Sequence, residues 1–487
     1  MFASAYNQNR PKRPITNRQL KISVIVSYRL YWSTVLHFYR LNPYRVINVK
    51  MRAPAARFIS RLTNNTLALV LAGGRGERLG SLTDWRTKPA VPFGGKFRII
   101  DFTLSNCLHS GINKVCVLTQ YKSHSLIQHL MQGWTKLNTE RGDFLDIIPA
   151  QQWTDEETWF QGTADAVYQS LDIIEGHGPN FVIILAGDHI YNMDYGAMLA
   201  QHVNTNADFT IACLAVDVEM AAGQLGVVEI DESNRIVDFQ EKPSNPKSTD
   251  GDESKALVSM GIYVVSQDYL AKRLREDAND DASSHDFGRD IIPHGINRGD
   301  HFQCHEFHNP EDDQPPYWRD VGTIDAYYSA NMELISENPP LNLFNPSWST
   351  ITYQPQLPPT IFVGGEHSMV EASMIGGGCV VSNSTITRSL LFSSVHVEEN
   401  CELEGVLALP GSSIGAECRL RNVILDNRCE VPSGTCIGYD PVADNADYHI
   451  TDNGVTVVSR SMLGQGESYM PAIQLQPAPY ETEIKDD

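Results

Sequence analysis

The stretch LVLAGGRGERL, residues 69–79, places three glycines and two arginines directly after an apolar run. Exposed backbone N–H groups beside fixed positive charges are typical of a phosphate-binding loop. Lys88 follows Arg75 at a distance of thirteen residues and adds another cation. Arginine grips phosphate oxygens with a planar fork, and lysine provides a compact point charge. A tight turn would explain the glycines but not the arginines. Arg75, Arg78 and Lys88 therefore suit a triphosphate and its pyrophosphate leaving group.

Two other glycine-rich motifs do not match this stretch. A P-loop needs Gly-Lys-Ser/Thr four residues after its first glycine, and no such sequence follows here. A dinucleotide-binding fingerprint needs a third glycine at the position of Leu79, and Gly80 comes one residue too late. The stretch thus predicts phosphate binding of another kind.

A carboxylate stands at the end of a second apolar run, LAGDHIY at 185–191, as Asp188. Ligands of α/β sheets bind at the carboxyl ends of strands, and Mg²⁺ prefers carboxylate and phosphate oxygens. Asp188 is therefore a candidate metal ligand, with Asp320 in YWRDVGT (317–323) as a possible partner. A turn or helix cap is the alternative interpretation of an isolated aspartate after a strand.

A third candidate site is FQEKPSNP, residues 239–246, which contains Glu241 and Lys242 before a proline. A residue before proline is expected on extended backbone, so the Lys242 side chain should project. An ordinary exposed lysine is the alternative.

Strands and helices that could position these residues alternate from about residue 66. Continuous apolar runs predict strands that are buried on both faces of a parallel sheet. These runs are TLALVLA (66–72), KVCVLTQ (114–120), FVIILAGD (181–188) and DFTIACLAV (208–216). Helical patterns lie between them at 125–134, with Leu130, Met131 and Trp134 in its apolar stripe, and at 163–174. The alternation predicts one doubly wound α/β domain.

The pattern changes after residue 336. Six prolines in 337–360 exclude a continuous helix or a central strand, and we interpret this segment as a linker. Beyond it, aliphatic residues recur every six positions, with slips of frame between the runs. The runs are Ile375 to Val381; Leu391, Val397, Leu403 and Leu409; Ile414 and Leu420; and Leu425, Val431 and Ile437. This period is typical of hexapeptide β-helices, whose aliphatic residues point inward. A small β-sandwich is the alternative.

Charge is distributed unevenly along the chain. Residues 1–66 hold 12 Lys/Arg and no Asp or Glu, so the remainder carries 26 basic and 59 acidic residues. The leader could be an organelle transit peptide, a disordered tail or translated upstream sequence with the start at Met51, and we expect residues 1–50 to be dispensable.

Bulk properties exclude several classes of function. The net charge of −21 argues against a general nucleic-acid or anionic-membrane binder. The nine cysteines form no CxxC pair, which suits reduced thiols and a cytoplasmic location. No apolar stretch has the roughly 18 residues of a membrane span.

The ordered set of motifs resembles the bacterial glucose-1-phosphate adenylyltransferases, or ADP-glucose pyrophosphorylases. The motifs are LAGGRGERL, TKPAVPFGGKFRIIDFTLSNC, TQYKSHSL, WFQGTADAV, LAGDHIY, EKPSNP, SMGIYV, SSHDFGRDIIP and YWRDVGT. GGxGxRL alone indicates a sugar nucleotidyltransferase, whereas FGGKFRIIDF with SNC, and SHDFG with YWRDVGT, are more specific.

The resemblance implies an α/β, doubly wound nucleotidyltransferase domain followed by a C-terminal left-handed parallel β-helix. We place the boundaries at a basic extension 1–65, a catalytic domain 66–336, a linker 337–360, a β-helix 361–460 and a tail 461–487. The implied reaction converts ATP and α-D-glucose 1-phosphate to ADP-glucose and pyrophosphate with Mg²⁺, and supplies glycogen or α-glucan synthesis. A homotetramer, a sugar-phosphate activator and a nucleotide inhibitor are also implied.

The resemblance further implies roles for individual residues. Arg75 and Lys88 would hold the triphosphate, Asp188 and Asp320 the metal, and Lys242 the sugar phosphate. Other substrate contacts are implied for Gly73, Gly74, Gln120, Phe160, Gly162, Thr163, Gly226, Glu241 and Ser259.

Three positions depart from the family pattern. Phe160 stands where tyrosine is frequent, Trp85 where many members have a basic residue, and Pro92 where many have histidine. The last two positions belong to the effector region, in which Arg86 and Arg98 remain as candidate allosteric residues. The identity of the activator is therefore left open.

Three rival functions are retained. The chain could make UDP-, dTDP- or GDP-sugars, or it could be a catalytically silent regulatory subunit. The β-helix also permits a hexapeptide acyltransferase with His367 or His396 as base.

Overall fold

The computed structural model describes residues 52–74, 76–134, 142–150, 160–249, 251–309, 316–364 and 368–466. The chain divides into two compact units, residues 1–59 and 60–487, of which the second contains every element given below except the first eight residues of α1. Predictions on the leader up to Met51, on Arg75 and on most of the tail lie outside the described residues.

Helices of the described chain are mostly short. They are α1 (Arg52–Asn64), α2 (Ile99–His109), α3 (His124–Gly133), α4 (Thr163–Tyr168), α5 (Leu171–His177), α6 (Tyr195–Thr205), α7 (Val218–Ala221), α8 (Gln267–Asp277), α9 (Ile292–Arg298), α10 (Ile324–Glu333) and α11 (Pro441–Asp447). Single 3₁₀ or π turns cover Glu77–Thr83, Lys88–Ala90 and Phe287–Ile291. Among the described residues, none of the helices has the length and apolar character needed to cross a membrane.

Strands β1 to β13 belong to the catalytic domain. They are β1 (Thr66–Leu71), β2 (Pro92–Phe93), β3 (Phe97–Arg98), β4 (Lys114–Thr119), β5 (Phe144–Pro149), β6 (Phe181–Ala186), β7 (His189–Tyr191), β8 (Phe209–Asp217), β9 (Val227–Ile230), β10 (Ile236–Gln240), β11 (Lys255–Ser266), β12 (Phe302–Glu306) and β13 (Trp318–Asp320).

Nine of these strands, within the described residues, form one mixed sheet in the order β10-β9-β11-β6-β1-β4-β5, with β8 paired to β11 and β12 paired to β8. The segment β6-β1-β4-β5 is parallel, and β11 joins it antiparallel to β6. Alternate residues of β1 enter different cores, since Leu67 and Leu69 pack on one face and Ala68 and Val70 on the other. Burial on both faces explains why the strands appear in the sequence as unbroken apolar runs.

Two helix predictions need correction. The segment predicted as one helix at 163–174 is two helices, α4 and α5, which are separated by a turn at Ser170 whose hydroxyl donates to the Ala166 carbonyl. In α3, Met131 is 61% exposed rather than buried. The buried stripe of α3 instead brings His129 and Trp134 into hydrogen bonds with buried Asp101.

Between residues 361 and 458, the described residues form a β-helix with three parallel sheets. The first contains β14 (Ile361–Val363), β17 (Val380–Ser382), β20 (His396–Val397), β23 (Ser413–Ile414) and β26 (Glu430–Val431). The second contains β15 (Met369–Glu371), β18 (Thr385–Thr387), β21 (Glu402–Glu404), β24 (Arg419–Arg421) and β27 (Cys436–Ile437). The third contains β16 (Met374–Ile375), β19 (Leu390–Leu391), β22 (Leu407–Ala408), β25 (Val423–Leu425) and β29 (Thr456–Val458), with β28 (His449–Ile450) antiparallel at its edge. The predicted fold class, an α/β domain followed by a parallel β-helix, is confirmed.

Stacking in the β-helix explains the slips of frame in the sequence. Val397 stacks on Ile414, and Leu403 stacks on Leu420, so equivalent residues are seventeen positions apart. One of the three turns in each such coil is therefore one residue shorter than six. The short turn makes Ala408 the inward residue. The prediction that Leu409 points inward is wrong, because Leu409 packs against the catalytic domain.

The proline-rich segment 337–360 contains no helix or strand, and all of its residues are described. Part of it is bound along α2. Trp348 Nε1 donates to Asn106 Oδ1 at 2.9 Å, and Thr352 Oγ1 donates to Asp101 Oδ2 at 2.6 Å. The linker is thus fixed to the catalytic domain by specific hydrogen bonds.

The outer face of the third β-helix sheet packs on the catalytic domain. Leu390, Phe392, Leu407 and Leu409 share one buried core with residues of α10. Next to this core, the fully buried Arg86 forms an ion pair with Asp426 of the β-helix. The apolar contact and the ion pair together join the two domains.

Candidate active site

A cavity of about 780 Å³ opens at the carboxyl ends of the central strands. The loop after β1 lines one side, and further lining comes from the segments around β7, β10, β11 and β13, the end of β4, the start of α4 and the turn at 286–288. Ligand sites of α/β sheets are found at this edge. Twelve of the predicted site residues line the cavity. They are Gly73, Gly74, Gln120, Phe160, Gly162, Thr163, Asp188, Gly226, Glu241, Lys242, Ser259 and Asp320.

The cation–carboxylate group at one end of the cavity is centred on Lys88. Its Nζ lies 2.6 Å from Asp320 Oδ1 and 3.1 Å from Asp188 Oδ2. Asp188 follows β6, and Asp320 ends β13, which pairs antiparallel with β7. The β7–β13 ribbon therefore brings together two carboxylates that are far apart in the sequence.

Charge in this group is mutually stabilised. Burial alone would lower the pKa of Lys88, but Asp188 and Asp320 outweigh it and raise that pKa. Burial alone would raise the pKa of Asp188, but Lys88 and His189 lower it to about 2. Asp188 is consequently ionised at neutral pH and can bind a cation.

The glycines of the first loop allow close packing around Lys88. Gly76 has a φ of 66°, and a Cβ there would lie 3.0 Å from the Cβ of Lys88. Only glycine adopts this backbone readily while leaving room for the lysine. Arg75, which the sequence assigns to the triphosphate, lies outside the described residues.

Glu241 occupies a narrow space at the other end of the cavity. A Cβ added to Gly288 would overlap its carboxylate, and one added to Gly226 would lie 3.1 Å from Glu241 Oε2. Lys242 Nζ is 3.3 Å from Glu241 Oε1, and the Lys242 side chain is about half exposed. A carboxylate and an ammonium group thus stand side by side at the cavity wall.

The backbone of Lys242 differs from the prediction. We expected an extended conformation, but φ is 48°, in the left-handed region. Gly223 N donates to the Pro243 carbonyl at 2.9 Å, which holds this segment in a turn. The tertiary hydrogen bond overrides the local preference of a residue before proline.

Several cavity residues were not singled out from the sequence. They are His189, Gln224, Tyr263, Asp286, Phe287 and Trp318. Arg78, which also lines the cavity, was singled out as a phosphate-binding cation but not for its contact across the cavity. Arg78 Nη1 donates to Gln224 Oε1 at 2.6 Å, and the His189 ring packs edge-on against Trp318 at 5.0 Å. Residues at the carboxyl end of a strand, such as His189 beside Asp188, could have been found by extending the strand-end argument.

The two predicted allosteric arginines lie away from the cavity. Arg86 Nη1 donates to Asn427 Oδ1 at 2.9 Å, in addition to its ion pair with Asp426. Trp85 Nε1 donates to Asp426 Oδ2 at 3.2 Å, and the Trp85 ring packs under Arg86. Burial and the nearby charge of Arg86 lower the pKa of Arg98 to about 10.

The sequence analysis did not single out two further arginines near this domain boundary, Arg428 and Arg460. Burial and the charge of Arg460 lower the pKa of Arg428. Arg460 Nε is buried without a hydrogen-bond partner among the described residues. A buried guanidinium nitrogen without a partner is a candidate donor to a bound anion.

A divalent metal ion fits the carboxylate pair. Asp188 and Asp320 both contact the same ammonium nitrogen, so they are close enough to share one cation. Oxygen ligands of this kind suit hard divalent ions, which also bind water and phosphate oxygens. Nucleotidyl transferases generally use such ions.

Comparison with protein families finds two matches that follow each other along the chain. Residues 67–337 match the nucleotidyl transferase family, and residues 358–458 match the GlmU-like C-terminal hexapeptide family.

Similar proteins from three bacteria carry one name. Glucose-1-phosphate adenylyltransferase 2 of Alkalilimnicola ehrlichii is 52% identical, over 85% of this chain and 98% of the relative. Glucose-1-phosphate adenylyltransferase of Nitrosomonas europaea is 49% identical, over 85% of this chain and 97% of the relative. The enzyme of that name from Teredinibacter turnerae is 48% identical, over 85% and 99%.

Proposed function

The chain belongs to the glucose-1-phosphate adenylyltransferases of the nucleotidyl transferase family, and from this premise we propose that it transfers the adenylyl group of ATP to α-D-glucose 1-phosphate. The products are ADP-glucose, for glycogen or α-glucan synthesis, and pyrophosphate. The observation that carries the proposal is the contact of buried Lys88 with Asp188 and Asp320, two carboxylates that line the same cavity as Glu241 and Lys242.

The reaction needs positioning and charge neutralisation rather than a covalent enzyme intermediate. A phosphate oxygen of glucose 1-phosphate attacks the α-phosphorus of ATP in line, and pyrophosphate leaves. Lys88 neutralises charge on the triphosphate, together with Arg75 as the family resemblance implies. Lys242 binds the phosphate of glucose 1-phosphate, while Glu241 and Ser259 accept hydrogen bonds from sugar hydroxyls.

We assign the divalent metal site to Mg²⁺, with Asp188 and Asp320 as its protein ligands. When bound, Mg²⁺ withdraws charge from phosphate oxygens and stabilises the leaving pyrophosphate. Asp188 and Asp320 are suited to this role because both already contact one cation, the Lys88 ammonium group.

Regulation by a phosphorylated sugar at the domain boundary is part of the proposal, with Arg86 and Arg98 as the effector arginines. An anion that binds Arg86 must displace Asp426, because this side chain already holds the guanidinium. Arg428 and Arg460 provide further positive charge there. We also propose that a nucleotide inhibitor competes for this anion site.

Trp85 bears on which sugar activates the enzyme. An indole in place of an ammonium group removes one charge-assisted hydrogen bond, worth roughly 1.5–3 kcal/mol. We therefore expect weak activation by fructose 1,6-bisphosphate and better activation by a singly phosphorylated sugar such as fructose 6-phosphate. Trp85→Lys should strengthen the response to the bisphosphate. Strong activation of the unmodified enzyme at micromolar bisphosphate would contradict the assignment.

A homotetramer in the cytoplasm completes the proposal. The first β-helix coil exposes apolar side chains, including Ile361 at 53% and Met369 at 47%, which suit contact with another copy. The nine cysteines of the sequence form no CxxC pair, which suits reduced thiols in a cytoplasm. Light scattering on the purified chain measures its oligomeric state.

Pyrophosphate release from the purified protein tests the proposed reaction. ATP, UTP, dTTP and GTP are each supplied with glucose 1-phosphate and Mg²⁺, and we expect ATP to give the highest kcat/KM. Preference for another nucleotide would favour a different sugar nucleotidyltransferase. Absence of turnover with every nucleotide would favour a regulatory subunit.

The acyltransferase alternative has less support. His367 lies outside the described residues, and His396 is exposed on β20. Acetyl transfer from acetyl-coenzyme A can be assayed in the same preparation, and we expect none.

A further inference from the structure

His285 has an unusual backbone conformation beside the cavity. Its φ is 53°, in the left-handed region that residues with a side chain seldom adopt. Asp286, Phe287 and Gly288, which follow it directly, line the cavity, whereas His285 itself does not. An unfavourable conformation of this kind persists only where other contacts hold it, and such residues cluster at functional sites.

A group of three side chains holds this conformation, and we call it the His285 clamp. His285 Nδ1 lies 2.8 Å from Asp277 Oδ2, at the end of α8. Ser283 Oγ donates to Asp277 Oδ1 at 2.7 Å and accepts from His285 N at 2.9 Å. The Asp277 side chain is only 6% exposed, so water competes weakly for it.

The clamp fixes the backbone oxygen of His285 against the start of α4. This oxygen accepts hydrogen bonds from Ala164 N at 2.9 Å and Asp165 N at 3.2 Å. A Cβ on Gly162 would overlap the same oxygen. The turn of His285 and the Gly162–Thr163 segment of the cavity wall are therefore in direct contact.

The residues after His285 continue this contact into the cavity. Thr163 Oγ1 donates to Asp286 Oδ2 at 2.8 Å and accepts from Phe287 N at 3.1 Å. Gly288 packs so tightly on Glu241 that a side chain there would overlap its carboxylate. A shift of the turn must therefore move the wall near Glu241 and Lys242, rather than the Lys88 end.

We infer that His285 is a positioning residue for the glucose 1-phosphate end of the cavity, an inference that rests on the proposed function. Its imidazole ring, held by Asp277, keeps His285 in the left-handed conformation and so fixes the turn at 283–288 that places Asp286 and Thr163. His285 itself does not touch the substrate.

Steady-state kinetics and calorimetry on three variants test this inference. In His285→Ala, we expect the KM and Kd for glucose 1-phosphate to rise about tenfold, as for loss of one good hydrogen bond, with the KM for ATP within about twofold. His285→Asn should recover most of the affinity, since asparagine tolerates the left-handed region and its amide can donate to Asp277. Asn234→Ala is the matched control, because Asn234 also has a positive φ, of 60°, but does not line the cavity.

Thermal unfolding of each variant separates positioning from general destabilisation. If His285→Ala does not fold, Asp277→Asn replaces it, and a several-fold rise in the Kd for glucose 1-phosphate is expected there. An unchanged glucose 1-phosphate affinity in the folded variants overturns the inference. An equal loss of affinity for both substrates, or no recovery in His285→Asn, also overturns it.

Calorimetry also distinguishes this inference from the proposed reaction. If the unmodified protein binds glucose 1-phosphate but forms no ADP-glucose, the proposed reaction fails. A His285-dependent Kd in that case still supports the positioning role. If the unmodified protein forms ADP-glucose and His285→Ala binds glucose 1-phosphate normally, only the positioning role fails.

Discussion

The β-helix and the catalytic cavity bring residues together in opposite ways. In the β-helix, Val397, Ile414 and Val431 stack because each coil repeats the one before it. In the cavity, Lys88 meets Asp320 across 232 residues of sequence, through the pairing of β7 with β13. The β-helix is therefore specified by local repetition, whereas the cavity depends on the topology of the whole domain.

The two regions also differ in what their side chains contribute. The β-helix interior is a column of aliphatic residues and cysteines, which lower the free energy of the folded state. The cavity concentrates charges and glycines that add little to stability but can bind phosphates and a cation. Substitutions in the β-helix should therefore affect unfolding, and those in the cavity should affect turnover. Arg86 lies at the boundary between the two regions, so a substitution there belongs to neither group.

The largest change in stability is expected for Arg86→Ala. The substitution leaves Asp426 buried without its ionic partner, which costs about 3–5 kcal/mol of unfolding free energy. Denaturant unfolding measures the loss. The double variant Arg86→Met, Asp426→Leu is the control, because replacing both charges with apolar groups should recover most of it. A loss below about 1 kcal/mol in the single variant, as for an exposed pair, would contradict the importance of this contact.

Leu420→Ala should change stability alone. Leu420 is fully buried in the column between Leu403 and Ile437, so truncation creates a cavity that costs about 2–5 kcal/mol. The kcat of the folded protein should stay within about twofold. Leu420 packs among apolar side chains of the β-helix, away from the charged groups that we propose to act in the reaction. Glu402→Gln, in an exposed pair with Arg419, is the control and should cost at most about 1 kcal/mol. A large fall in kcat for Leu420→Ala would show that the two regions are coupled.

Asp188→Asn should change turnover alone. Loss of the full negative charge beside Lys88 weakens metal-linked charge stabilisation, and we expect kcat to fall at least ~100-fold, or about 2.7 kcal/mol. Melting temperature and kcat are measured on the same preparation. Asp172→Asn, at an exposed position of α5, is the matched control. Near-normal kinetics in Asp188→Asn would remove this residue from the catalytic group.

Lys242→Ala should have a smaller and more selective effect. A lysine that binds the sugar phosphate equally in ground and transition states changes KM rather than kcat. We expect the KM for glucose 1-phosphate to rise about tenfold, as for one charge-assisted hydrogen bond, with the KM for ATP unchanged. Lys247→Ala is the control, since Lys247 pairs with Glu229 and does not line the cavity. A fall in ATP affinity instead would mean that Lys242 binds the other phosphate.

The errors of the sequence-based predictions have a common physical cause. Met131 fits a helical stripe, but the polar contacts of His129 and Trp134 with Asp101 turn α3 another way. Leu409 fits the six-residue period, yet it is buried by the other domain instead of by the β-helix interior. Periodicity indicates which residues could be buried, but tertiary packing decides whether a residue is buried and which partner buries it.

By itself, the sequence determined the central strands, the hexapeptide repeats and the candidate residues for phosphate and metal binding, because apolar periodicity and residue chemistry are local properties. Only the tertiary structure decided which of these residues meet. It placed Lys88 between two carboxylates and paired Arg86 with Asp426. It also put His285 in a left-handed conformation next to the segment that contains Thr163. Each of these contacts joins segments that are distant in the chain, and local backbone preferences do not predict contacts between distant segments.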